Sequence, residues 1–210
     1  VYMERHENYF VWLFNQLKGW PVQNYCLWFF AFGFQLALLI QAKVTSVTLI
    51  TFIGTLLGTL CVLAINATKA INGWLGLISA ACFIYAGWSA KNYLSIFEQI
   101  AYIATLDLPV ILSVRSWNDD TKNHLRKFGG REWIIAIVGT LAVYLVSGFL
   151  IGKFTNDPRP WVDAISFAIS LTAGIMCLMR YNNQYFWWTA SGIFQLVLWG
   201  ITYAQGDANL

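Results

Sequence analysis

The chain has 210 residues, of which 58% are hydrophobic, 17% aromatic and 11% charged, with a mean hydropathy of +0.56. An ordinary soluble domain carries about 25% charged residues, so the composition argues against a water-soluble enzyme. A net charge of +3, scattered between apolar runs, also lacks the basic face that nucleic-acid binding requires.

A helix crossing a hydrocarbon core of roughly 30 Å needs about 20 mainly apolar residues. Residues 1–22 place Glu4, Arg5, His6 and Glu7 ahead of Phe10, Leu13, Phe14 and Leu17 at helical spacing. They lack the cationic start, apolar core and small-residue cleavage site of a secretory signal, and read either as an interfacial amphipathic helix or as a partly ordered tail. Seven spans are expected next: Asn24 to Ala42, Thr48 to Thr68, Trp74 to Ala90, Ser95 to Val114, Trp133 to Gly152, Trp161 to Met179 and Gln184 to Ala204. They divide into a first three-helix bundle (23–92), a linker span (93–115), a charged connection (116–131), a second bundle (132–205) and a tail (206–210).

With seven spans the termini face opposite sides. One side collects nine Lys and Arg residues, five of them between Arg115 and Arg131, and the other holds Lys43, Lys91, Lys153 and Arg159. The positive-inside rule then predicts a cytoplasmic amino terminus. Laid over itself so that Lys69 falls on Arg180, the chain also matches Asn72 with Asn183, Phe83 with Phe194 and Trp88 with Trp199. Two three-helix units joined by one extra span must point the same way. The expected fold is an all-α membrane bundle of two parallel three-helix repeats with a linker helix, a plan that places a solute site between the halves.

Polar side chains inside a bilayer are costly and face the bundle or a watery cavity. In the last span Gln184, Trp188, Ser191, Gln195, Trp199 and Thr202 share one helical face. Rings and amides there suit a flat heterocyclic solute; the alternative is that they bond neighbouring helices and anchor the interface. Asn66 is a candidate in the second span, whose threonines bond back to their own helix and whose Gly54 and Gly58 are spaced for close packing. Ser166, Ser170 and Cys177 read as packing residues. The linker span carries Glu98, Gln99, Tyr102, Thr105, Asp107 and Pro109. Pro109 is expected to kink it and free the Thr105 carbonyl, and Asp107 reads as a structural acceptor or a proton carrier.

Cys26, Cys61, Cys82 and Cys177 are dispersed through the spans and His6 and His124 lie outside them, so neither disulfide nor metal site is expected. No cofactor and no catalytic set is indicated.

The passage FIYAGWSAKNYLSIFEQIAYIATLDLP and the ending RYNNQYFWWTASGIFQLVLW resemble the PnuC family of bacterial vitamin B3 transporters, whose architecture is similar to that of the SWEET sugar carriers. The resemblance covers Gln23 to Tyr203. It implies facilitated diffusion of nicotinamide riboside into the cytoplasm, trapping by a cytosolic kinase, and a homotrimer in the bacterial inner membrane. Carried over residue by residue, it implies solute contacts at Trp187, Trp188, Ser191, Gln195, Glu98 and Gln99, with Asn183, Trp88, Asn92 and Tyr102 as neighbours in the same motifs. The alternative is a SWEET-like carrier of another small solute, a sugar, thiamine or riboflavin, with or without proton coupling.

Overall fold

Proline, glycine and side-chain caps set the helix boundaries in the structure, a computed structural model that describes residues 8–112 and 126–204. The Asn8 carboxamide oxygen accepts a hydrogen bond from the Phe10 N–H and starts helix α1 (Tyr9–Asn15). Gly19 then adopts φ +70, a left-handed conformation that costs glycine little, and Pro21 precedes α2 (Val22–Gln41). A reciprocal pair, the Thr45 hydroxyl on the Thr48 N–H and the Thr48 hydroxyl on the Thr45 N–H, caps α3 (Ser46–Asn66). After α4 (Asn72–Ser89) the Asn92 side chain accepts from the Ser95 N–H and opens the next helix.

That helix, α5 (Tyr93–Leu112), contains a π-helical stretch at Ile103–Asp107 in which the Leu108 N–H reaches the Ile103 carbonyl. The widened turn lies directly before Pro109, whose ring removes a backbone donor and crowds the carbonyl four residues back. The expected disturbance thus takes the form of a π-bulge, a common accommodation at functional positions. Glu132 folds back onto the Gly129 N–H to start α6 (Gly130–Phe154), Pro160 occupies the first turn of α7 (Pro160–Leu178), and α8 (Gln184–Ala204) completes the described chain.

α2 packs on α3, α3 on α4, and α4 on α5; α5 packs on α7, which also holds α6 and α8. Gly54 and Gly58 let α3 and α4 approach closely: a Cβ on Gly54 would lie 2.7 Å from Cys82 Cβ, and one on Gly58 2.9 Å from Ser79 Oγ. The Ser79 hydroxyl donates to the Gly54 carbonyl at 2.8 Å. Thr55 and Thr59 bond back to Thr51 and Thr55, as their spacing predicts. In the other half α7 is the centre. Ala164, Ala168, Ser170 and Ala173 have no exposed surface, and small residues allow this close helix approach.

α2 is the peripheral helix. Only 6% of its apolar window is buried against 56% for α7, and its main polar tie is Asn24, whose amide donates to the Leu63 carbonyl and whose oxygen accepts from Asn66. α2, α3, α5, α6 and α7 are long and apolar enough to span a bilayer. α4 and α8 have similar lengths, 18 and 21 residues, but their Trp, Tyr, Asn and Gln content lowers their hydropathy.

The α3–α4 and α7–α8 turns share a hydrogen-bond pattern. Lys69 N–H reaches Ala64 O and Asn72 N–H reaches Lys69 O; Tyr181 N–H reaches Met176 O and Gln184 N–H reaches Tyr181 O. Thr68 and Arg180 take φ of 53 and 59 at matching places. These turns pair Lys69 with Tyr181, one residue away from the alignment drawn from side-chain identities, because aromatic matches are easily displaced by one position whereas a helix-ending turn has fixed geometry.

Candidate functional site

Glu98, on α5, is 5% exposed and points at α7 and α8. The Gln195 amide nitrogen on α8 donates to both carboxylate oxygens, at 3.1 and 3.0 Å. Tyr102 and Ser170 also hydrogen-bond to the carboxylate. A carboxylate only accepts, so the Gln195 NH2 must face it, which turns the Gln195 carbonyl oxygen, the amide's acceptor, away from Glu98. Replacing Gln195 by Ala removes that acceptor and leaves the carboxylate short of a donor; solute affinity is expected to fall by about 1–3 kcal/mol, measured by titration calorimetry.

The remaining walls come from α7 and α8. Ser170 and Ser191 share a hydrogen bond of 2.6 Å between their hydroxyls. The Trp188 ring lies 5.5 Å from that of Tyr102 at an interplanar angle of 49°, and its indole N–H bonds the Cys177 thiol. Gly174 makes room for the Tyr102 ring, since a Cβ there would sit 3.4 Å from Tyr102 Cε1. The cluster thus combines one carboxylate, one amide, hydroxyls and two rings. α5, α7 and α8 contain no Lys or Arg.

Glu98, Tyr102, Trp188, Ser191 and Gln195 are therefore brought together. Gln99 is half-buried beside Glu98, with no hydrogen bond to the cluster among the described residues. Trp187 turns the other way, 6% exposed, into the second-half core against Trp133. Asn183 precedes α8 and lines a separate open groove with Phe128, Trp133 and Asn182. Trp88 is 70% exposed near Tyr93, Asn92 caps α5, and Asn66 is joined to Asn24. The Trp199 and Thr202 side chains and most of the 116–131 connection fall outside the described residues.

Ser170 and Cys177, which spacing alone assigned to packing, belong to the cluster. The available signal was their shared face on α7; their role depends on which helix that face meets. Asp107 is buried on the opposite side of α5, against Gly73 and Gly76 of α4.

Membrane-length helices pack around a polar cluster of rings, an amide, hydroxyls and a carboxylate, and polar groups placed so inside a bilayer mark a membrane protein with an internal functional site. A family model described as nicotinamide mononucleotide transporter matches residues 48–206, and the chain belongs to that family, one of membrane transporters and not of enzymes. It is similar to the nicotinamide riboside transporter PnuC of Neisseria mucosa (21% identical over 164 residues, 73% of this chain and 60% of that protein). It is also similar to the nicotinamide riboside transporter PnuC of Haemophilus influenzae (26% over 156 residues, 69% of this chain and 66% of that protein). The match thus spans less than two thirds of either relative. The fold resembles the crystal structure of the vitamin B3 transporter PnuC, with a TM-score of 0.73 at 16% identity, over 96% of this chain and 87% of that one.

Proposed function

We propose that the chain is a facilitated-diffusion carrier of nicotinamide riboside. The observation that carries this reading is the Glu98 carboxylate, held by Gln195 beside Trp188 and Tyr102 in a cluster whose helices supply no cation. The pyridinium ring of the riboside is cationic. It is attracted both to a carboxylate and to indole and phenol faces, while Gln195 and Ser191 bond its hydroxyls or carboxamide.

The same electrostatics distinguishes the two solutes in the names of the similar proteins and the family. A mononucleotide adds a phosphate carrying about two negative charges near neutral pH, and in this cluster it would meet Glu98 and no compensating cation. The purified protein is expected to bind nicotinamide riboside and to bind its mononucleotide at this site much more weakly. Competition calorimetry with a Gln195→Ala control tests this, and equal affinity of the cluster for both would defeat the reading. Uptake into proteoliposomes, indifferent to an imposed proton gradient, separates uniport with metabolic trapping from proton coupling; binding of sugars, thiamine or riboflavin in preference would select the alternative carrier class.

With this activity go seven spans in a three-plus-one-plus-three layout, an interfacial amino-terminal segment, a cytoplasmic amino terminus, and a homotrimer in the bacterial inner membrane. The alternating helix directions and the paired turns support the layout; the excess of Lys and Arg at the end carrying α1 and the α7–α8 turn supports the orientation.

A further inference from the structure

The two matching turns differ in what lies on them. On the α3–α4 turn, Ala70 packs against Trp12 of α1, an indole only 2% exposed that also meets Val110. The turn register that pairs Lys69 with Tyr181 pairs Ala70 with Asn182 and Ile71 with Asn183. At this position the described residues of the second half leave an open groove of about 250 Å³, lined by Phe128, Trp133, Asn182 and Asn183. One half fills this position with its own flat aromatic group; the other leaves an open groove beside two aromatic side chains and exchanges two apolar residues for two carboxamides.

Backbone and ring contacts order the groove's lining. Arg126 N–H donates to Arg180 O at 2.8 Å and Asn182 N–H to Arg126 O at 3.0 Å. The Asn182 side chain accepts from the Phe128 N–H at 3.2 Å. The Phe128 ring stands edge-on to Trp133 and Tyr181, at 5.1 and 5.2 Å. Arg126, Lys127 and Arg131 are exposed within five positions of the lining residues, whereas the nearby Glu132 carboxylate is turned back to the Gly129 N–H.

Rings, primary amides and cations recognise three parts of one ligand class. Aromatic side chains hold a heterocycle's face, amides read its hydrogen-bonding edge, and Arg or Lys holds a phosphate. From this we infer that the groove is a second site, binding a nucleoside monophosphate with its ring at Phe128 and Trp133, its edge at Asn182 and Asn183, and its phosphate at Arg126, Lys127 and Arg131. An anionic lipid headgroup presents the same phosphate chemistry but has no ring for the aromatic walls. Resting on the transport reading, a phosphorylated form of the solute then acts at this end of α8 as a brake on further uptake; the binding site itself does not depend on that reading.

The test is calorimetry on the purified full chain with AMP, nicotinamide mononucleotide, adenosine and inorganic phosphate. Both mononucleotides are expected to bind more tightly than phosphate or adenosine. Asn183→Ala and Lys127→Glu are each expected to weaken AMP binding about tenfold, the loss of one hydrogen bond, and Gln195→Ala to leave it unchanged. Asn183→Ala is the primary variant because the Asn182 side chain also holds the Phe128 backbone. Absent AMP binding, phosphate binding as tight as AMP binding, or loss of AMP binding in Gln195→Ala would each overturn the inference. Repeating the titration in nanodiscs separates the phosphate sources: AMP binding kept in neutral lipid but abolished by phosphatidylglycerol assigns the site to headgroups and overturns it too. Failure of riboside binding with AMP binding intact would remove the transport reading and leave this site standing.

Discussion

Replacing Glu98 by glutamine is expected to lower the affinity for nicotinamide riboside by more than an order of magnitude while the protein remains folded. The substitution keeps the side chain's volume, so packing against α7 and α8 is preserved. It removes the negative charge around which Gln195, Tyr102 and Ser170 are arranged. Truncation to alanine is expected to cost more, by about 1–3 kcal/mol, because the Gln195, Tyr102 and Ser170 donors then lose their common acceptor. Calorimetry on both variants, with melting temperature as the folding control, reads the outcome. Undiminished affinity in Glu98→Gln would show that the carboxylate's charge plays no part and that the site selects on shape and hydrogen bonds alone.

Adding a single methyl group to Gly76 is expected to destabilise the bundle severely. A Cβ at that position would collide with the Asp107 carboxylate, and Asp107 is 6% exposed within the α4–α5 contact. Overpacking of this kind costs about 1–3 kcal/mol, occasionally more. Melting temperature and monodispersity on size-exclusion chromatography should both fall in Gly76→Ala. The double variant Gly76→Ala with Asp107→Ala should recover much of the loss, since the second change removes the colliding group and contacting sites couple. Two independent losses that simply add would place Asp107 elsewhere.

Much of the helical arrangement could be read from the chain because hydrocarbon thickness sets helix length and because caps and prolines mark the ends. The last span's polar face was visible for the same reason: Ser191 and Gln195 lie one turn apart among apolar residues. What periodicity could not supply was the opposing surface. Ser170 sits on a face of α7 that looks like any small-residue packing stripe until α5 and α8 are docked on it. Trp187 and Trp188 are adjacent, yet consecutive helix positions diverge by about 100°, so one indole enters the cluster and the other enters the core. Asn92 and Asn66 are polar residues near spans, but each is taken by a helix end or a neighbouring helix. Asn182, next to the predicted Asn183, became informative only once the turn geometry shifted the internal alignment by one residue.

α5 is the one helix that packs substantially on both triplets among the described residues. It presents Glu98 to one triplet and Asp107 to the other, with the π-helical turn at Ile103–Asp107 lying between Glu98 and the helix's far end. A π turn is a helix carrying one surplus residue, so the residues after it are offset by about 100° around the helix axis from where an unbroken α-helix would place them. That offset sets the angle between the two carboxylates on one rod: the surplus residue fixes where the Asp107 end of α5 faces relative to the Glu98 end.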